Sequence, residues 1–405
     1  MAFQHGVYIQ ELDTKILGVR TCDSALPFVV GVAPVQTLTG QKPINEPKLI
    51  FSYKDYIQTF GEVPQGQSEA NYSLSQFARI YFTLYAMSPA IFVNVFDPNV
   101  HKTEQNPDPT KVTSTDIIGG YNSQTGKRTG LETIEEVFSS FGKVVGIVLA
   151  PGYSHNESVA NAMIAKAEKV NNHFKAMAYI DVPAGVTLPT DAKTFKDNYS
   201  SPHAVLFWPH GKYAGIRNWL SAHAAGLTAK VDEKNTGVPY ESPSNKELRI
   251  DAPEKLLTIQ EANYLNEQGL CTVFRFTSGW KLWGNRTAAF PEVTDIKDAF
   301  IPCRRMANWI ENNLVLLTWQ KVDDPMNKRL IESVVTTVNI WLNGLVGRSF
   351  LIGAKVYFRK EDNPLTDLAN GIIRFYITYL APPPAETIEY ILEVDVTYFN
   401  NLFGQ

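Results

Sequence analysis

The feature that most limits what this chain can become lies at its C-terminal end. Thr387–Tyr398 reads TIEYILEVDVTY. Ile388, Tyr390, Leu392, Val394, Val396 and Tyr398 fall on one face, and Glu389, Glu393, Asp395 and Thr397 on the other, with Ile391 alone out of step. A period of two belongs to a β-strand, whose successive side chains point to opposite faces. At ~3.3 Å per residue the run spans about 40 Å, roughly twice a typical strand. Such a strand at a chain end carries a row of unpaired N–H and C=O groups, which natural proteins seldom leave open. It has to pair, either within its own chain or with a neighbour. Pro382, Pro383 and Pro384 cannot donate to a ladder, so they delimit it.

The rest of the composition is ordinary. A chain of 405 residues with 44% hydrophobic and 19% charged residues can bury the cores of two or three domains. Lys and Arg number 37 against 41 Asp and Glu, a net charge of −4, which gives no global attraction to nucleic acid or anionic membrane. Cys22, Cys271 and Cys303 are too few and too scattered for a disulfide framework or a zinc site, which suits a reducing compartment. The first eleven residues lack the basic and apolar regions of a secretory signal, and no apolar run reaches the ~20 residues of a membrane span. Assembly in a cytoplasm, without membrane insertion, is the expectation.

Periodicity divides the chain. Gly6–Leu12 is short and extended, and 13–25 reads as a linker. Pro27–Pro34 is a buried strand, Ser73–Ala86 a helix and Ala90–Phe96 a strand. Residues 97–130 are polar and turn-rich, a surface excursion. Strands at Val144–Ala150, Lys175–Asp181 and Ala204–Trp208 alternate with helices at Asn156–Asn171, Asp191–Tyr199 and Arg217–Leu227. Strands recurring about every thirty residues with helices between mark βαβ units on a mainly parallel sheet. Residues 228–258 look like a connection. Beyond it come helices at Ala307–Trp319 and Met326–Leu345, the second capped by Asp324 with Pro325 in its first turn. Strands at Lys355–Arg359, Ile372–Leu380 and Thr387–Tyr398 complete an α+β region.

Candidate chemistry is sparse. Gly119–Thr129 resembles a phosphate loop, but five residues rather than four separate Gly120 from Gly126, and Arg128 stands where a magnesium-binding hydroxyl is required. A Gly-rich turn explains it better. Ala150–His155 lies where a parallel strand meets a helix, the usual place for a ligand in such sheets, and it supports an alternative reading as a small-molecule-binding protein or enzyme. It lacks a nucleophile elbow, and Ser154 or Asn156 is more simply a helix cap. His203 and His210 flank a strand at a spacing that does not favour one metal site. No acid, base and nucleophile set emerges, and no catalytic residue, metal or cofactor is expected.

Several segments together carry a resemblance. His5–Glu11 followed by Val29–Ala33 looks like the opening of contractile-tail sheath proteins, Thr129–Leu131 resembles a segment before their middle helix, and Leu206–Pro209 matches one of their strands. The most specific block is Leu265-Asn-Glu-Gln-Gly269 with Trp283-Gly-Asn-Arg-Thr287, similar to sheath proteins of temperate myophages and R-type bacteriocins. The resemblance runs from residue 5 to the C-terminus, with departures in the loops 98–130 and 239–253.

It implies a non-enzymatic subunit with no cofactor. Such subunits polymerise as stacked hexameric rings around an inner tube, between a baseplate and a tail terminator, in a virion tail or a phage-derived particle; contraction drives the tube through the target envelope. No direct nucleic acid contact is implied. The implied architecture is an arm and linker at 1–25, an outer α/β domain with a mainly parallel sheet at 26–258, an inner α+β domain at 259–385 carrying both termini, and an arm at 386–405. The arms add strands to neighbouring subunits. On this chain the contacts would be Gly6, Val7, Tyr8, Ile9 and Glu11 at one end, and Ile388, Tyr390, Leu392, Val394, Val396 and Tyr398 at the other. Pairing of 387–398 within its own domain remains the alternative. The inner domain must also hold the tube, for which a breakable polar contact is suited. Arg304, Arg305, Lys321, Lys328 and Arg329 outnumber Glu311, Asp323 and Asp324 over 302–330, and this region is expected to face it.

Overall fold

A computed structural model describes residues 24–404. Its centre is an eight-stranded sheet. In chain order the strands are β1 (Pro27–Gly31), β2 (Lys48–Ile50), β3 (Ala90–Asn94), β4 (Ile147–Leu149), β5 (Met177–Asp181), β6 (Ala204–Phe207), β7 (Leu270–Phe274) and β8 (Lys281–Trp283). They lie side by side as β8-β7-β6-β5-β4-β1-β3-β2. The run from β7 to β3 is parallel, and an antiparallel strand closes each end. Every residue of β1, β3, β4, β5, β6 and β7 is buried. That is why these strands read as continuous apolar runs: both faces of a parallel sheet are covered.

Among the covering helices are α1 (Tyr53–Phe60), α2 (Ser73–Ala78, continuing as a π-helical stretch to Leu84), α3 (Glu157–Glu168), α4 (Pro189–Lys196), α5 (Leu220–Lys234) and α6 (Ile259–Glu267). Asn156 caps α3, its Oδ1 accepting from Ser158 N at 3.1 Å. The Gly119–Thr129 segment is a turn whose ends meet at Tyr121 and Arg128, with the guanidinium 4.6 Å from the Tyr121 ring. The excursion around it also holds a two-stranded ladder at 102–107 and a short helix, Ser114–Ile118.

Two boundaries differ from the sequence reading. Residues 228–234 are the last turns of α5, not part of a connection; the polar stretch beyond them contributes Ala252–Pro253 to a small three-stranded sheet with 211–213 and 216–218. The sheet also does not stop at 258, because β7 pairs in parallel with β6 through Leu270–Leu206 and Cys271–Phe207. Helix α7 (Ile301–Thr318) belongs to the same body. Its Asn312 exchanges two hydrogen bonds with the Lys175 backbone, both 2.8 Å, and Asn308 donates to Ala176 O at 3.1 Å.

After α7 come α8 (Lys328–Gly347) and a hairpin of β9 (Gly353–Tyr357) and β10 (Tyr376–Leu380), packed on one another. Asn327, rather than Asp324, caps α8, its Oδ1 accepting from Leu330 N at 3.0 Å; Asp323 has φ 68, so the chain is still turning there. By length and composition alone α8 could cross a membrane; here its buried positions Val334, Val338, Leu342 and Leu345 face the protein. Trp309 and Trp341, with ring centroids 5.7 Å apart, join α7 to α8.

Candidate functional site: an unpartnered C-terminal arm and its root

The chain leaves β10 through Ala381 and the three prolines, and the alternating segment follows. No residue of 387–395 belongs to a strand, and no backbone hydrogen bond ties 388–394 to the described chain. The expectation of a paired strand over Thr387–Tyr398 is corrected in that respect: 387–395 is a lone strand-like extension, and Val396–Phe403 coils into a 3-10 turn started by Asp395 Oδ1, which accepts from Thr397 N at 2.9 Å. Ile388, Tyr390, Leu392, Val394, Val396 and Tyr398 are each at least 66% exposed, and Ile391 is 96% exposed. Burying a side chain of this size is worth ~1.5–3 kcal/mol, so an apolar face left in water is a large unused driving force.

The root of this arm is held firmly. Arg286 Nη2 donates to Glu386 Oε2 at 2.5 Å, while its guanidinium lies between the rings of Phe290 (4.3 Å) and Phe300 (3.9 Å). The segment carrying Arg286 is itself pinned: Thr287 N donates to Ala299 O at 3.0 Å and Ile301 N to Asn285 O at 2.8 Å, so 285–287 runs antiparallel to the chain entering α7. A cleft of about 720 Å³ separates Pro382–Thr387 from the body, lined by Trp283–Arg286, Asn266 and the 240–246 loop.

The block that carried the resemblance acquires a physical reason here. The Asn266 amide, its nitrogen toward the Leu270 and Trp283 carbonyls at 2.9 and 3.0 Å, accepts from Trp283 Nε1 at 3.0 Å. Gly284 has φ +138, and a Cβ there would meet the Asn266 side chain at 2.8 Å and the Cys271 backbone at 3.0 Å. Gly269 has φ +80, and a Cβ would come within 2.5 Å of Phe290 O. Only glycine satisfies both demands at these two positions. The two halves of the block are therefore one joint between β7, β8 and the arm's root.

The other end of the described chain is tied to the same helix. Arg305 on α7 pairs with Asp232 on α5, Nη1 to Oδ1 at 3.1 Å, and its Nη2 donates to Ser24 O at 3.3 Å. Ser24 Oγ lies 2.5 Å from Asp232 Oδ2. Both charged side chains are buried. Arg304 is likewise buried, donating to Asn308 Oδ1 (2.9 Å), Asp298 Oδ1 (3.0 Å) and Glu311 Oε1 (2.9 Å). Arg304 and Arg305 are thus not a solvated start before the helix but its buried first turns, and neither presents a charge for a tube. Lys321, Lys328 and Arg329 are exposed around the tip of the α7–α8 hairpin. Gly6, Val7, Tyr8, Ile9 and Glu11 lie outside the described residues.

The strand-end region favoured by the alternative reading is taken up structurally. Ser154 Oγ accepts from Asp181 N at 3.0 Å, and the buried Asp181 carboxylate accepts from Ser221 N (2.9 Å) and Ser221 Oγ (2.5 Å). Burial raises the Asp181 pKa and lowers that of His210, whose Nδ1 is 3.8 Å away. His203 and His210 bond different carbonyls, Ala176 O and Val182 O. Sequence reasoning missed Asp232 and Glu386 altogether, since a lone acid in a loop or helix carries no signal of its partner.

The matches to known proteins agree with this geometry. The profile of the phage tail sheath protein central domain matches residues 126–288. A tail sheath protein of Burkholderia phage BcepMu is 36% identical over 73% of this chain and 65% of its own length. A putative prophage major tail sheath protein of Pseudomonas aeruginosa is 28% identical over 97% of both. The contracted PVC sheath complex of an extracellular contractile injection system superposes with a TM-score of 0.70 at 20% identity, covering 98% of this chain and 99% of that one. This chain thus carries a segment matching the phage tail sheath central domain and is similar along nearly its whole length to tail sheath proteins of phages and prophages, a structural rather than enzymatic family.

Proposed function

We propose that the chain is the repeating subunit of a contractile sheath, in a phage tail or a phage-derived particle. Its subunits stack as six-membered rings around an inner tube, between a baseplate and a tail terminator, and contract to drive the tube through a target envelope. The observation that carries this reading is the arm at 387–395: extended, apolar on one face, and without a partner among the described residues. In the polymer a neighbouring subunit supplies the partner by strand addition, where main-chain hydrogen bonds give strength and alternate side chains give register. The N-terminal segment, through Gly6–Glu11, makes the reciprocal link. The α/β body lies outside; α8 and the β9–β10 hairpin lie toward the tube, with Lys321, Lys328 and Arg329 meeting it.

Deleting 387–405 tests the reading. The truncated chain keeps its thermal midpoint, because no core residue is lost, but electron microscopy finds no striated tubular polymers. Contractile sheaths built from truncated subunits would refute the linking role.

A further inference from the structure

The cleft at the arm's root does not end there. Its Asn245 and Trp283 also line a second cleft of about 360 Å³, so the two form one groove that starts beside Pro382–Thr387. Ile259, Phe274, Phe276 and Trp283 make the second part mainly apolar, and Phe276 is 78% exposed. Its rings follow one another: Trp283 lies 5.8 Å from Phe274, and Phe274 lies 6.5 Å from Phe276, centroid to centroid. The wall beside them is fixed, because Asn245 N donates to Leu282 O at 2.6 Å and Leu282 N to Lys246 O at 3.0 Å. Charge differs along the groove. Glu241 and Glu267 line the part at the root, and Lys246 there is already paired with Glu241 at 2.8 Å. In the apolar part Lys281 is the one charged side chain among the described residues, and Arg275 stands between the two phenylalanines in sequence.

We infer that this groove is a resting seat for the subunit's own arm: before assembly, 387–395 folds back into it as a strap and is withheld from other subunits. The occupant follows from position, length and charge. The root already lies in the mouth of the groove, and nine extended residues reach ~30 Å, enough to pass from the first part into the second. The face bearing Ile388, Tyr390, Leu392 and Val394 meets the aromatic floor. Glu389, Glu393 and Asp395 are the only charges in 387–405, and the last two reach the part that holds Lys281. The strap solves a problem that the extended arm creates, since an open apolar strand on every free subunit invites indiscriminate pairing. A growing polymer end, which offers a better partner, draws the arm out. The inference rests on the proposed linking role of the arm, and the test separates the two.

Hydroxyl-radical labelling of the free, full-length subunit reads the strap directly. The strap opens well below the temperature at which the body unfolds, so thermal midpoints do not report it. With the open arm at about 10% or less, Tyr390 and Leu392 label up to ~tenfold more slowly than in Phe276→Glu, which puts a charge into the groove at an exposed position. In a chain lacking 387–405, Phe276 and Trp283 label faster than in the full-length chain by a similar factor. Equal labelling in these comparisons overturns the strap and leaves the linking role standing. Polymerisation followed by light scattering gives a second reading: Phe276→Glu assembles faster, because more of its arms are free. Slower assembly, or none, makes the groove a contact between copies and overturns the strap. Polymers from the chain lacking 387–405 refute the linking role instead, whatever the labelling shows.

Discussion

At the scale of single residues, the fold depends on a few positions with no substitute. Gly269 and Gly284 combine positive φ with backbone or side-chain atoms less than 3 Å from where a Cβ would sit. Gly284→Ala should cost about 1–3 kcal/mol, read as a lower urea midpoint at unchanged slope. Buried histidines set the response to acid. Burial pushes the His223 pKa down to about 3 and lowers those of His155, His203 and His210. For each, the unfolded chain takes up its proton first, at its ordinary value near 6.5. Stability is therefore complete above that pH and falls as pH drops from 6.5 toward the folded-state values, by up to ~1.4 kcal/mol per pH unit for each group. Asp181, whose pKa burial raises, works in the opposite sense. Thermal midpoints should fall as pH is lowered from 6.5 to 4.5, and His223→Phe should flatten that slope by removing one of the buried imidazoles, at the loss of the 3.4 Å contact between His223 Nδ1 and Tyr85 Oη. A midpoint independent of pH would contradict this account.

At the scale of elements, two ion pairs differ in what their loss costs. Asp232 and Arg305 are both buried, so Asp232→Asn strands a charge and should cost about 3–5 kcal/mol. Arg286 and Glu386 retain some solvent contact, so a double-mutant cycle should give a coupling of roughly 0.5–1 kcal/mol. Glu386→Gln should therefore leave the urea midpoint almost unchanged while amides around 385–387 exchange faster. These contrasts also show where the sequence was legible. The parallel strands could be read because continuous apolar runs such as Phe28–Val30 have no other stable use. The start of α7 could not, because paired arginines at a helix entrance look solvated until Asp232, over seventy positions away, is brought beside Arg305. The grouping of β7 with the later domain failed for a similar reason: its partner β6 is separated from it by two helices, a small sheet and a long loop. The arm was recognised by its alternation, but that pattern says only that a partner is needed.

At the scale of the whole molecule, the arm is separable from everything that keeps the chain folded, which is what a linking element requires. Replacing Leu392 and Val394 by Lys should leave the subunit's circular dichroism and midpoint unchanged and abolish polymer formation in sedimentation, because two charges would enter a neighbour's apolar face. Reversing Lys328 and Arg329 to Glu should leave free subunits intact and reduce their co-assembly with tubes; unchanged co-assembly would remove that face from the tube contact. The two arginine anchors then have a mechanical meaning. Ser24 is tied through Arg305, and Glu386 through Arg286 and Phe300, to the first turns of one helix, α7. In the proposed polymer, tension arriving along one arm leaves along the other through those turns, like load through the eye of a shackle. The eight-stranded sheet hangs beside this line of force rather than in it. In that polymer it would move with α7 as rings turn, without being pulled apart.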